Sequence, residues 1–196
     1  PSPSRTARAT TLPALATATM LALLTGCATP AGPGTTTPVA RIADGTRAQL
    51  ALLETTDLHT NVLSYDYYRL TEDRRIGFER TAALIAAARK EFTNTLLFDN
   101  GDTIQGTALS DYQAQVKRLG CNEVLAMYKV MNALGYDAGG IGNHEFNYGL
   151  SFLSQVTGSR FNVDLRPGEQ AIPAQPCAGP NFPLVLANVL SVKDRK

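Results

Sequence analysis

Residues 139–149 read GGIGNHEFNYG, a glycine-flanked segment that follows a short apolar run. It places an amide, an imidazole and a carboxylate side by side, at Asn143, His144 and Glu145. Glycine accepts backbone conformations with φ > 0, so the segment is predicted to turn sharply and project these side chains into a site. Two similar turns precede it, DLH at residues 57–59 and DNGD at residues 99–102, each after a strand-like apolar run. We therefore expect three strand ends to converge on one cluster of oxygen and nitrogen ligands.

The composition is that of an ordinary globular domain with a tail. The chain has 196 residues, of which 44% are hydrophobic and 18% charged, and its formal net charge is +1. Basic residues are scattered rather than grouped, which argues against a nucleic acid polymer as partner, and nothing in the sequence predicts a protein partner. The chain has two histidines, and both lie in the predicted site, at His59 and His144.

Strand and helix patterns alternate along the folded part. Strands are predicted at residues 49–56 (buried), 95–98, 136–141 (weaker) and 183–189, and helices at 77–92, 123–134 and 150–156. The first helix has Leu84, Ile85 and Ala88 at helical spacing, and Gly135 is a natural C-cap for the second. This alternation predicts an α/β fold with a largely parallel sheet, in which sites lie beyond the carboxyl ends of the strands.

The first 46 residues are predicted to lie outside the folded domain. Residues 1–27 are typical of an export signal, with Arg5 and Arg8 before an apolar run of about 13 residues, too short to span a bilayer. The run ends in LTGC, which resembles a lipoprotein signal whose Cys27 is lipidated; a plain signal peptide with a chance cysteine is the alternative. Residues 28–46, rich in Pro, Gly and Thr, are predicted to form a flexible linker, and folding should begin near residue 47. We expect an exported protein of the periplasm or cell envelope, held to the membrane by a lipid anchor.

The exported part has two further cysteines, Cys121 and Cys177. A disulfide between them is plausible in an oxidising compartment. Two independent thiols are the alternative, and the spacing does not decide between them.

The side chains at the three turns suit a metal site. Asp57 and His59 are two residues apart and would face the same way in an extended segment, so both could reach one ion. Asp102 follows a glycine and could approach closely enough to bridge two ions, while Asn143 offers a carbonyl oxygen. Such mixed ligands suit Mn, Fe, Zn or Co. Two ions about 3.5–4 Å apart can stabilise both the attacking and the leaving oxygen at phosphorus.

The same turns resemble the first three signature blocks of the calcineurin-like metallophosphoesterases. The matching segments are DLH at 57–59, GDTIQG at 101–106 and GNHE at 142–145. Longer matches, DLHTN at 57–61, YDYY at 65–68 and GNHEFNYG at 142–149, resemble the 5′-nucleotidase group and, within it, the bacterial 2′,3′-cyclic-nucleotide 2′-phosphodiesterase/3′-nucleotidases. The resemblance covers about residues 48–190. It implies a sandwich of β-sheets flanked by helices, incomplete in this chain.

The resemblance also implies roles for individual residues. Asp57 and His59 would ligate the first of two divalent ions (Mn, Co, Zn, Fe or Mg), Asp102 would bridge, and Asn143 would ligate the second. His144 would act in catalysis by contacting the phosphate or the leaving oxygen. In 5′-nucleotidases an aspartate three residues after this histidine supports it, whereas here Asn147 stands at that position, as in the cyclic-phosphodiesterase branch. The YDYY segment is likewise typical of that branch, with no predicted role beyond packing or lining a cleft.

The implied activity is hydrolysis of 2′,3′-cyclic nucleotides and nucleoside 3′-monophosphates by a metal-bridging hydroxide, as part of nucleotide catabolism. The alternatives are a 5′-nucleotidase or UDP-sugar hydrolase and a ligand-binding lipoprotein without catalysis. The resembled enzymes complete their metal sites with downstream histidines and hold the nucleoside base in a C-terminal domain, and no histidine follows His144. Residues 47–196 are therefore expected to be the N-terminal part of the catalytic domain, and the chain by itself to be inactive or nearly so.

Overall fold

The computed structural model describes residues 42–161, 163–165 and 167–190. The predicted export signal, Cys27 and most of the predicted linker lie outside the described residues. The fold described below belongs to the unit that begins at Thr46. In the part of the chain that the structure describes, no helix has the length and apolar character needed to cross a bilayer.

Within the described residues, six strands form two sheets. In chain order they are β1 Ala51–Thr55, β2 Tyr65–Asp66, β3 Thr71–Glu72, β4 Thr95–Asp99, β5 Ala138–Gly140 and β6 Leu184–Val185. The main sheet has the order β1-β4-β5-β6 with parallel pairing throughout, as predicted, and β2 and β3 form a short antiparallel hairpin. The register aligns Thr55 with Asp99 and Asp99 with Gly139, so the strands end together at one edge of the sheet.

The helices alternate with the strands of the main sheet. They are α1 Phe78–Glu91, α2 Ala108–Asp111, which continues into a π-helical turn at Tyr112–Val116, α3 Ala126–Leu134 and α4 Gly149–Thr157. The three predicted helices are confirmed, but α3 begins three residues later than predicted. Its expected first turn is a separate turn, in which the Glu123 N–H donates to Gly120 O while the Glu123 carboxylate accepts from Gly120 N. Gly135 ends α3 in a left-handed conformation, as predicted.

One face of the main sheet packs against the helices. Leu97 of β4 is buried in one cluster with Ile85 of α1, Met131 of α3 and Val156 of α4. The prediction of a buried first strand is wrong, because β1 lies at the edge of the sheet and Leu52, on its opposite face, is 66% exposed.

Two more predicted features differ from the structure. Leu84 of α1 is 71% exposed, since its neighbour Ile85 occupies the buried side of that helix. The last strand comprises two residues instead of the predicted seven, Leu184 and Val185, which pair with Gly139 and Gly140. Its partner β5 is itself only three residues long and therefore offers little main chain to pair with.

A disulfide joins Cys121 to Cys177, which decides between the two alternatives for these cysteines. It connects the loop before α3 to the segment before β6. Beside it, the Ala178 N–H donates to the carbonyl oxygen of Cys121 at 2.7 Å. The bond thus holds together two loops that are 56 residues apart in the chain.

Candidate metal centre

The three loops that follow β1, β4 and β5 meet at one edge of the sheet, as expected from the turns. Main-chain hydrogen bonds join the first loop to the second: Asp57 N donates to Gly101 O at 3.1 Å and His59 N to Asp102 O at 2.9 Å. The third loop joins the second through Asp102 Oδ1, which accepts from His144 N at 2.8 Å. The loops therefore form one connected unit.

Three predicted site residues lie together at this edge. One potential ligand atom from each of His59, Asp102 and His144 lies within 4.8 Å of the other two. The two imidazole rings are 4.7 Å apart in an edge-to-face arrangement. Asp57 adjoins this cluster, with its Oδ1 atom 3.6 Å from His59 Nε2. Imidazole nitrogens and carboxylate oxygens suit divalent Mn, Fe, Zn or Co, so the residues present fit such an ion.

Asn143 lies at the rim of this cluster. It is exposed and precedes a short 3₁₀ turn, His144–Phe146, in which its carbonyl oxygen accepts from Phe146 N at 3.2 Å. The main-chain carbonyl is therefore used by the turn, and the exposed side chain carries the amide oxygen that the sequence suggested as a ligand.

The loop after β1 is not extended, in contrast to the expectation for Asp57 and His59. The φ angles of Asp57, His59 and Thr60 are 55°, 47° and 54°, and that of Asp102 in the next loop is 58°. Left-handed backbone costs free energy for residues other than glycine and tends to occur at functional sites. Asp57 and His59 approach each other through this tight turn rather than through strand alternation.

Hydrogen bonds hold Thr60 in this conformation. Its side chain is 1% exposed, and its hydroxyl lies 2.9 Å from the carbonyl oxygens of both Thr103 and Ile104. The Thr60 N–H also donates to Thr103 O. Because Thr60 follows His59 directly, these bonds fix the backbone that positions the imidazole.

Two glycines allow the loops to approach this closely. A Cβ atom on Gly142 would lie 2.3 Å from Asp102 Oδ1, and one on Gly106 would lie 2.7 Å from His59 Cβ. Both distances are far inside van der Waals contact. Glycine at these positions is therefore required by the packing of the Asp102 carboxylate and the His59 ring.

The hydrogen bond of His59 fixes which ring nitrogen is available. Its Nδ1 atom lies 2.6 Å from the carbonyl oxygen of Gln105. A carbonyl oxygen accepts only, so Nδ1 carries the proton and Nε2 presents its lone pair toward the side of Asp57. Such a bond at the second nitrogen is the usual way of orienting a metal-binding histidine.

Glu145 is a buried carboxylate that the sequence analysis named in its motif but gave no role. Its relative exposure is 0%, and it accepts hydrogen bonds from four main-chain N–H groups. Three donors belong to the second loop, at Asp102, Thr103 and Ile104, and the fourth is Gly142 of its own loop. The signal that could have found it is the unexplained carboxylate at the fourth position of GNHE.

Glu145 and Asp102 hold each other's loops. The Glu145 carboxylate binds the Asp102 N–H at 2.9 Å, while the Asp102 carboxylate binds the His144 N–H at 2.8 Å. We call this exchange, in which each side chain holds the main chain of the other loop, the Asp102–Glu145 clasp. It fixes the distance between the second and third loops beside the His59, Asp102 and His144 cluster.

Asp99 lies beneath the second loop and is 4% exposed. Its Oδ1 atom accepts from Gly101 N at 3.0 Å and from Thr103 Oγ1 at 2.7 Å, and its Oδ2 accepts from Thr55 Oγ1 at 2.7 Å. Burial raises the pKa of the Asp99 carboxyl above its ordinary value, although these hydrogen bonds act in the opposite direction. Asp99 thus supports the turn that presents Asp102.

The YDYY segment lines a cleft beside the metal cluster. Tyr65 and Asp66 form β2, and the lining of the cleft, which has a volume of about 190 Å³, includes Tyr65, Tyr67, Tyr68 and Gly106. Tyr68 donates its hydroxyl to Asp111 Oδ2 at 2.9 Å, which ties the hairpin to α2. Lining a cleft is one of the two roles, packing or lining, that the sequence left open for this segment.

Comparisons with known proteins agree with the resemblance seen in the sequence motifs, although no family model matches the chain. It is 44% identical over 154 residues to a 2′,3′-cyclic-nucleotide 2′-phosphodiesterase/3′-nucleotidase of Yersinia enterocolitica, and 41% identical over 160 residues to one of Salmonella typhimurium. These alignments cover 79% and 82% of the chain. The chain spans about a fifth of the length of these relatives, at 20% and 22%.

A solved structure extends the similarity to the fold. The calcineurin-like phosphoesterase YfkN from Bacillus subtilis matches with a TM-score of 0.58 and 40% sequence identity, over 70% of this chain and 36% of that one. Snake venom 5′-nucleotidases are more distant relatives, for example that of Gloydius brevicauda at 38% identity over 109 residues. The resemblance drawn from the motifs is therefore confirmed: in sequence and in fold, the chain is related to the calcineurin-like metallophosphoesterases of the 5′-nucleotidase group.

Proposed function

We propose that the protein is a metal-dependent phosphoesterase that hydrolyses 2′,3′-cyclic nucleotides and nucleoside 3′-monophosphates. The observation that supports this most directly is the cluster of His59, Asp102 and His144 at the carboxyl ends of parallel strands. Relatives named for these two activities align with about four-fifths of the chain.

In this proposal Asp57, His59, Asp102 and Asn143 are ligands of two divalent ions. Bound ions of this kind activate a water molecule as nucleophile and neutralise charge that develops on the phosphate. Asp102 enters this set with Oδ1 already engaged by the His144 N–H, so Oδ2 is its freer oxygen.

The chain's own residues orient the reacting groups. His59 keeps its proton on Nδ1 and presents Nε2 as a ligand atom. The Nδ1 atom of His144 is hydrogen-bonded to the side-chain oxygen of Gln105. Its Nε2 atom is therefore the one that could exchange a proton with the leaving oxygen. To neutralise the 2′ oxygen when the 2′ ester bond breaks, the ring would have to carry a second proton on Nε2; passing that proton to the oxygen would leave the ring neutral with its remaining proton on Nδ1.

A nucleotide is the proposed substrate, and export with lipid anchoring at Cys27 is the proposed location. The test is fractionation of cells that express the protein and its Cys27→Ser variant from the complete gene. The wild type is expected in the membrane fraction and the variant in the soluble envelope fraction. Equal distribution of both proteins would contradict the lipid anchor and leave a plain signal peptide.

A 5′-nucleotidase or UDP-sugar hydrolase remains the second candidate, because venom 5′-nucleotidases share 38% identity with the chain over about half its length. Asn147 in place of the aspartate of that branch argues for the first candidate. A binding lipoprotein without catalysis is the third.

The deciding experiment is a substrate panel with the protein expressed from its complete gene. We would measure hydrolysis of 2′,3′-cyclic AMP, 3′-AMP, 5′-AMP and UDP-glucose with Mn²⁺ or Co²⁺ and with a chelator. Metal-dependent turnover of the first two is expected. Preference for 5′-AMP or UDP-glucose would favour the second candidate, and bound metal without any turnover would favour the third.

The matched variants are Asp102→Asn at the site and Asp44→Asn at an exposed position. Because Asp102 is a proposed metal ligand, Asp102→Asn should lower the activity by more than the about 10–100-fold that is typical of substituting a residue that supports a ligand. Asp44→Asn should retain full activity. Retained metal-dependent activity in Asp102→Asn would remove this carboxylate from the proposed ligand set.

A further inference from the structure

Gln105 lies between the two histidines of the chain and contacts both rings. Its main-chain oxygen is 2.6 Å from His59 Nδ1, and its side-chain Oε1 atom is 2.7 Å from His144 Nδ1. The two imidazoles are thus attached to one residue, one through its main chain and one through its side chain. A substitution of the Gln105 side chain would therefore remove its contact with the His144 ring and leave the main-chain contact with His59.

Asn147 contacts the same pair of atoms. Its Nδ2 atom lies 3.0 Å from Gln105 Oε1 and 3.0 Å from His144 Nδ1. An amide nitrogen donates only, so Asn147 does not accept a proton from the His144 ring in this arrangement. Its N–H instead donates to Gln105 Oε1, which keeps that oxygen turned toward the ring.

We propose that Gln105 is the positioning residue of His144, holding its ring in the Nδ1–H tautomer, and that Asn147 acts through Gln105. In this tautomer Nδ1–H donates to Gln105 Oε1, and Nε2 takes no part in either amide contact. The neutral amide oxygen of Gln105 therefore supports the His144 ring, as a carboxylate at position 147 would. The assignment of a task to His144 depends on the proposed function, whereas the tautomer does not.

The tautomer can be read directly by NMR on metal-free protein labelled with ¹⁵N-histidine. Long-range ¹H–¹⁵N correlations distinguish a ring protonated at Nδ1 from one protonated at Nε2. In the wild type expressed from its complete gene, Nδ1–H is expected for His59 and for His144. The tautomer of a histidine follows the hydrogen bond made by its nitrogens, so removing the acceptor should release the ring.

Three variants separate the contributions. Gln105→Leu should move His144 toward the Nε2–H tautomer, while Gln105→Glu, which keeps an acceptor oxygen, should retain Nδ1–H. Asn147→Ala should also retain Nδ1–H, because Gln105 is still present. The matched control is Gln115→Leu, at an exposed glutamine. His59 serves as the internal control, since the main-chain oxygen at position 105 remains in every variant.

Several outcomes would overturn the proposal. Nε2–H at His144 in the wild type would mean that both amides are oriented the other way round. An unchanged His144 signal in Gln105→Leu would mean that another group holds the ring. Equal changes at His59 and His144 would mean that Gln105 supports the loop rather than one imidazole.

A kinetic comparison then tests whether this positioning matters for catalysis. In protein expressed from its complete gene, Gln105→Leu is expected to lower kcat for 2′,3′-cyclic AMP about 10–100-fold with little change in KM. Gln115→Leu should match the wild type. A purely structural role would instead reduce the amount of folded protein and leave kcat per folded molecule unchanged. Absence of turnover in the wild type would count against the proposed function and leave the NMR result valid.

Discussion

At the scale of single residues, Glu145 joins the second and third loops through four hydrogen bonds from main-chain N–H groups. Its carboxylate receives N–H groups in pairs, Thr103 and Ile104 on Oε1, Asp102 and Gly142 on Oε2. In Glu145→Gln, either orientation of the amide turns an NH₂ group toward two main-chain N–H donors. We expect the free energy of unfolding to fall by about 3 kcal/mol, because hydrogen bonds to a charged group are lost and donors are left unsatisfied.

Urea denaturation of metal-free protein measures this loss. The exposed Glu91→Gln is the matched control and should leave the midpoint unchanged. A wild-type midpoint in Glu145→Gln would show that these main-chain groups find other partners.

Asp99 gives a second prediction at this scale, for the dependence of stability on pH. Burial raises its pKa above the ordinary value of 3.8, so the folded state binds this proton more tightly than the unfolded state does. Stability from this group is fully present below the unfolded pKa and declines as pH rises through the folded pKa. Asp99→Asn lacks this dependence of stability on pH. Its stability relative to the wild type should therefore increase as pH rises from the unfolded pKa through the folded pKa of Asp99.

Urea denaturation in chelator at a series of pH values, from below 3.8 to neutral, tests this sign. Asp44→Asn, at an exposed position, should run parallel to the wild type. A stability difference between Asp99→Asn and the wild type that stays constant with pH would contradict the prediction.

At the scale of elements, the approach of the second and third loops depends on Gly142. A Cβ atom there would meet Asp102 Oδ1 at 2.3 Å and Asp102 N at 2.7 Å, so Gly142→Ala should displace the carboxylate. We expect Mn²⁺ affinity, measured by calorimetry on protein from the complete gene, to fall about tenfold or more. Gly120→Ala is the control, because its Cβ would meet a flexible glutamate side chain at 3.3 Å. Unchanged affinity in Gly142→Ala would mean that Asp102 is not held in this position.

The elements also show how far the sequence could predict the fold. The parallel sheet, the helices and the meeting of three loops followed from apolar runs that end in polar, glycine-rich turns. The conformation of residues 57–60 could not be predicted, because left-handed backbone at Asp57, His59 and Thr60 is maintained by contacts with the second loop. The exposure of Leu52 was missed for a related reason, since an apolar strand pattern does not reveal which face of a sheet is covered.

In the candidate site too, some residues could be predicted from the sequence and others could not. From their types and their order along the chain, Asp57, His59, Asp102, Asn143 and His144 were predicted to meet. The structure brings potential ligand atoms of His59, Asp102 and His144 within 4.8 Å of one another. The supporting atoms were not identifiable, because they are main-chain groups or side chains whose partners are distant in sequence. Glu145, for example, binds N–H groups 41 to 43 residues away. Such contacts become apparent only when the loops are placed together.

At the scale of the whole molecule, the disulfide closes a loop of 56 residues across the fold. Chain-entropy arguments assign a crosslink of this span about 4 kcal/mol of stability, through the reduced freedom of the unfolded chain. Reduction should therefore lower the urea midpoint markedly. The comparison is denaturation with and without dithiothreitol, with the double variant Cys121→Ser and Cys177→Ser as control. That variant should be insensitive to the reductant, and an equal response of both proteins would contradict the role of the bond.

The Asp102–Glu145 clasp has a consequence for how the site would fill with ligands. Each loop is held by a side chain of the other, so neither can change conformation without affecting its partner. The free energies of ordering the two loops are therefore coupled. Substitutions at Asp102 and Glu145 should accordingly be non-additive in a double-mutant cycle, with a coupling of about 1–3 kcal/mol. The same linkage implies cooperativity: an ion that orders the second loop would also prepare the third loop to bind, so the two sites would fill together rather than independently.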